Sequence, residues 1–154
     1  MSNDTMRTEL SDGLKQAMKG GEKRRVATLR LINAAIKDRD IQARACGKER
    51  VCDDDILQIL AKMIKQREES AAIYEEKSRL DLAEQEREEI EIIRSFLPRQ
   101  MDAAEVRSAC EQVVREVRGE SLRDMGKCMN ALKSRYPGQL DVGQASKVVK
   151  EMLQ

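Results

Sequence analysis

The stretch LDLAEQEREEIEIIRSFLPRQMDAAEV, residues 80–106, decides how this chain folds. Ala83, Ile90, Ile93 and Leu97 recur at helical spacing and form one seam, while EQEREEIE supplies the remaining charged face, so a helix is predicted from about Leu80. Pro98 has no backbone N–H and disfavours helical geometry at Leu97, and LPRQ therefore reads as a boundary between two subdomains. Beyond it, Asp102 followed by Glu105 is a capping-box-like start, with Asp in place of the usual Ser or Thr. Val106, Cys110, Val113 and Val117 then mark the next apolar stripe, which Gly119 closes.

The same periodicity extends in both directions. Ile56, Ile59, Leu60, Met63 and Ile64, continued by Ala71 and Tyr74, predict a third helix reaching about Lys77. Val26, Leu29, Ile32, Ala35 and Ile36 predict a second, to about Ala45, with Lys23, Arg24, Arg25, Arg30, Lys37 and Arg39 supplying most of its polar surface. Met6, Leu10, Leu14, Ala17 and Met18 predict a first helix over about residues 4 to 19, stopped by Gly20-Gly21. The loop GKERVC leads to Asp53, Asp54 and Asp55, placed to cap and complement the positive N-terminus of the third helix. Toward the C-terminus, Ser121 is read as the cap of a sixth helix carrying Leu122, Met125, Met129 and Leu132, ended by YPG. Asp141 opens a seventh with Ala145, Val148, Val149 and Met152. The expectation is an all-α protein: a helical N-terminal domain of about four helices, residues 1–97, then a smaller three-helix C-terminal domain, residues 98–154.

Composition narrows the function classes. The 154 residues are 37% charged and 40% hydrophobic, which suits one or two small domains. No run of apolar residues approaches the length of a membrane span, and MSNDTMRTEL lacks the basic-then-apolar order of a secretory signal, so no membrane association and a cytoplasmic location are expected. Tyr74, Phe96 and Tyr136 are the whole aromatic complement, which leaves an aliphatic core and no stacking platform for unpaired bases. His is absent, which removes His-based triads and HExxH zinc sites. Cys46, Cys52, Cys110 and Cys128 form no CxxC pair, and a catalytic Cys would lack its usual base; no metal site and no cofactor are expected.

The net charge of +1 hides an asymmetry: residues 1–67 carry +5, residues 68–97 carry −6 and the remainder +2. A basic N-terminal stretch beside an acidic segment can present a face to nucleic acid, or the two can neutralise each other as a salt-bridged helical pair. Glu84, Glu86, Glu88, Glu89 and Glu91 are dense enough on a charged helix that solvation is the default, ahead of an acid/base pair or a magnesium site. Gly20-Gly21 follows a helix rather than a strand and lacks the phosphate-loop pattern, so it reads as a turn. Lys62, Lys65 and Arg67 share a flank of the third helix and can grip phosphates, or they can pair with Glu68, Glu69 or the acidic fourth helix. Gly126, between Met125 and Lys127, sits within a helical pattern where Gly costs about 1 kcal/mol relative to Ala. Either a neighbouring helix or the backbone of a ligand or RNA approaches closely there.

The motifs LRLINAAIK (29–37), KQREES (65–70), RLDLA (79–83), FLPRQM (96–101), RDMGKCM (123–129) and the Gly138/Asp141 region resemble the YqeY family, in this order and over nearly the whole chain. That family is similar to the helical and tail domains of the GatB component of the glutamyl-/aspartyl-tRNA amidotransferase, and related modules are appended to some glutaminyl-tRNA synthetases. The resemblance implies a tRNA-holding role, and a family association with glutamine-dependent carbon–nitrogen ligation. The leading expectation is a non-catalytic tRNA-binding or tRNA-associated module that contacts RNA backbone and shape through Lys62, Lys65, Arg67, Arg123 and Lys127. Gly126 would permit close approach, and Arg79 would be a further member of the set. The alternatives are a protein-interaction module docking a synthetase or amidotransferase, which the acidic segment motivates, and a component of the ligase activity itself. No Ser-Ser-Lys arrangement, Cys–His pair or phosphate loop is present to support catalysis by this chain, and no catalytic residue is assigned.

Overall fold

Each apolar seam is too narrow to be stable alone, and each finds its partners within one of two units, Met1–Leu97 and Pro98–Gln154. The computed structural model describes residues 5–47 and 50–154. The first unit holds α1 (Thr5–Lys19), α2 (Lys23–Ala45), α3 (Asp53–Glu76) and α4 (Leu80–Arg94). The second holds α5 (Ala103–Glu116), a 3-10 turn (Leu122–Asp124), α6 (Met125–Arg135) and α7 (Val142–Leu153). Every regular element among the described residues is helical, and the all-α class is what the spacing predicts. Residue 4 of the expected first helix, and Lys48 and Glu49 of the expected loop, lie outside the described residues.

The core of the first unit joins all four helices through Leu10 and Ala17, Leu29 and Ile32, Ile56 and Leu60, and Ile90 and Ile93. The second core joins Val106, Cys110 and Val113 of α5 to Cys128 and Leu132 of α6 and Val149 of α7. Backbone chemistry explains the breaks. Gly21, at φ +69°, lets the Glu22 N–H turn back to the Ala17 carbonyl at 3.0 Å and end α1. Ser78, at φ +60°, does the same after α3, with the Arg79 N–H donating to the Tyr74 carbonyl at 2.7 Å. Asp102 accepts from the Glu105 N–H at 2.8 Å, and Asp141 from Gly143 and Gln144 at 3.0 and 3.3 Å, so both predicted caps are present.

α4 stops at Arg94, and the Phe96 and Leu97 N–H groups bond three residues back, in keeping with the bar that Pro98 sets on helical geometry at Leu97. Three details differ from the sequence reading. Ser121 caps a 3-10 turn, not α6, and Leu122 is left 49% exposed rather than in the core. Met18, read as part of the α1 stripe, is 54% exposed. Cys52, not an aspartate, occupies the cap position of α3, while Asp55 accepts from both its N–H and its thiol at 3.3 Å.

Candidate nucleic-acid interface

α3 positions the first group. Its inward row, Ile56, Leu60, Met63 and Ile64, is buried, which turns Lys62 and Lys65 outward, three residues apart on one face. Both are exposed, their neighbours Gln58, Gln66 and Glu69 are also exposed and polar, and no carboxylate among the described residues lies within 4.0 Å of either ammonium.

Arg67 behaves differently. Its side chain is 14% exposed and its Nε donates to Glu89 Oε2 at 3.1 Å, across the α3–α4 contact. Of the two fates open to it, phosphate gripping and pairing with the acidic fourth helix, the structure shows the second. Glu89 is itself buried, and Arg24 of α2 reaches it at 4.0 Å. The uniformly solvated acidic face is therefore corrected: Glu89 sits beside Ile90 in the helix seam, and Glu86 is half-buried. Burial, then the neighbouring Glu89 charge, raises the Glu86 carboxyl above its ordinary range. The sequence carried the signal, since residues 83, 86, 90 and 93 keep seam spacing.

Arg79 occupies the N-cap position of α4 at the tip of the α3–α4 hairpin without a side-chain capping bond, exposed and 3.7 Å from Asp81. Along α3 that tip lies some 20 Å from Lys65, by the rise of about 1.5 Å per residue, so Arg79 does not join the lysine pair. Nearby, a groove of about 320 Å³ runs between α3 and α4, but its cations are engaged: Arg87 by Glu75, and Arg94 by Glu68 at 3.4 Å and Glu91 at 2.8 Å.

The second unit carries the remaining group. Asp124 accepts from the Glu120 and Ser121 N–H groups at 2.9 and 3.4 Å, and these bonds, Glu120 first, lower its carboxyl below the usual range. This fixed turn presents Arg123 and Lys127, both exposed and with no ion pair within 4.0 Å among the described residues, on either side of Gly126. A Cβ built at Gly126 would meet nothing within 4 Å, so close packing of a neighbouring helix does not explain the glycine. Gly119 shows the contrast: there a Cβ would lie 2.8 Å from Leu153 Cδ2.

Among the described residues no three Cys, Asp or Glu side chains converge as metal ligands, and no helix is long and apolar enough to cross a membrane. Cys110 and Cys128 are buried thiols whose ionisation burial pushes upward. A family model described as Yqey-like protein matches residues 7–153. An uncharacterized protein of Schizosaccharomyces pombe is 34% identical over 85 residues, 55% of this chain and 66% of that protein.

Proposed function

The chain belongs to the YqeY family, and from that premise we propose that it is a non-catalytic tRNA-binding or tRNA-associated accessory module that reads RNA by backbone and shape. The observation that carries this reading is that four of the exposed cations make no ion pair within 4.0 Å among the described residues and stand in two groups: Lys62 and Lys65 on α3, and Arg123 and Lys127 flanking an uncrowded Gly126. A cation already paired loses part of its attraction for phosphate, whereas these four can replace condensed counterions directly. The scarcity of aromatic side chains favours phosphate and ribose contacts over base stacking.

The test is binding of the reduced 154-residue chain to bulk tRNA across a salt series. Saturable binding with a steep salt dependence is expected, and Lys62→Ala with Lys65→Ala should lower the slope of log affinity against log salt by about two, one per cation. Arg123→Ala with Lys127→Ala should act similarly. Absence of binding at low salt would overturn the reading.

A further inference from the structure

The motif LRLINAAIK is only half explained by the fold. Leu29, Ile32 and Ile36 are buried in the first core, but Arg30, Leu31, Ala34 and Lys37 face outward. Two rows on α2 contain them. Ala27, Leu31, Ala34, Asp38, Ile41 and Ala45 are all exposed and alternate spacings of four and three, the seam of a helix that meets another helix. Leu31 is 48% and Ile41 59% exposed, so this second seam is unfilled.

Beside it runs a basic row, Lys23, Arg30, Lys37 and Arg44, repeating every seven residues along the 23-residue helix. Successive members stand about 10.5 Å apart. All four are exposed, and none has a carboxylate within 4.0 Å among the described residues. At the N-terminal end Arg24, on the other flank of the seam, reaches Glu88 of α4 at 3.5 Å.

We infer that the outer face of α2 is a docking surface for an acidic amphipathic helix of another protein. The apolar row would bury the partner's seam, and the basic row would pair with its flanking glutamates. Asp38, the one charge inside the seam, would fix register by facing a Lys or Arg of the partner. A strict seven-residue repeat drifts by about 20° per turn pair on a straight helix, and a supercoiling helix follows that drift. RNA would use the cations and leave Leu31 and Ile41 in water. A second copy of this chain fits poorly: antiparallel α2 helices would set basic row against basic row, and parallel ones would offer that row only Thr28, Ala35 and Gln42. The inference uses none of the residues assigned to tRNA, so either reading can fail without the other.

The probe is a labelled synthetic four-heptad peptide with Leu in its seam, Glu on both flanks and one Lys to meet Asp38, titrated by fluorescence anisotropy against the full chain. A twin peptide carries Lys on its flanks. Saturable binding of the acidic peptide alone is expected, weakened at least about tenfold by Leu31→Ser with Ile41→Ser. Arg30→Glu with Lys37→Glu should transfer the preference to the basic twin. These positions are exposed, and retained helicity of each variant is checked by circular dichroism. No binding at submillimolar peptide, or binding indifferent to both variants, would overturn the inference. So would loss of RNA-hairpin binding in the charge-reversal variant alone, or a dimer in sedimentation that Leu31→Ser dissolves, since these assign the face to RNA or to a second copy.

Discussion

Asp40 shows how one side chain ties an element end in place. Its carboxylate accepts a two-pronged bond from Arg7 at 2.8 and 3.0 Å and a third bond from the Val51 N–H at 2.9 Å, so α1, α2 and the segment entering α3 meet at one anion. The Arg7 hydrogen bonds, followed by the weaker effects of Val51 and the surrounding charges, hold this carboxyl below its ordinary value despite partial burial. Its contribution is therefore complete above the unfolded aspartate pKa of about 3.9 and is lost as pH falls through the lower folded value. Asp40→Asn should cost about 1–2 kcal/mol in urea unfolding at pH 7, and the gap from the parent should close in acid. Gly126→Ala offers the opposite sign. With open space around it and no left-handed backbone, the substitution should raise the midpoint of thermal unfolding by about 0.5 kcal/mol of added stability, while tRNA affinity falls if the RNA backbone approaches there.

At the scale of elements, the α3–α4 hairpin is held by a buried charge pair as well as by apolar packing. Arg67→Ala would leave Glu89, 9% exposed, without its nearest cation and should destabilise by about 3 kcal/mol. Arg67→Met combined with Glu89→Leu removes both charges and should recover most of that loss, and a double-mutant cycle in urea measures the coupling. This pair was half legible in the sequence. The sequence set Arg67 of KQREES against the acidic EQEREEIE run, but which carboxylate turns inward depends on how two helices rotate about their axes, which each helix's own pattern leaves free. The heptad row of Lys23, Arg30, Lys37 and Arg44 had a similar status. Its spacing was present in the sequence, yet only the burial of Leu29, Ile32 and Ile36 beside the exposure of Leu31 and Ile41 showed which face of α2 stays open among the described residues.

For the whole molecule, two separate aliphatic cores, one in each unit, replace the single core that a chain of this length can build. Residues 98–154 contain their own caps, including the Arg99–Glu105 fork at 2.6 and 2.9 Å and the Gln100 amide bond to the Gly138 carbonyl at 2.6 Å. Expressed alone, this segment should be helical and unfold cooperatively, and Val113→Ala within it should lower stability by about 2 kcal/mol through cavity formation. A non-cooperative melt or poorly dispersed amide spectrum would contradict its independence. The sequence by itself determined the helical class, the order of the elements and most of their ends, because spacing, glycines, prolines and capping side chains act within a few residues of where they stand. It also determined which residue types were available for phosphate contact. Only the tertiary structure decided which of those cations stay free, because Arg67 and Lys65 are alike in sequence and differ in what the neighbouring helix brings to them: burial beside a carboxylate for one, water for the other.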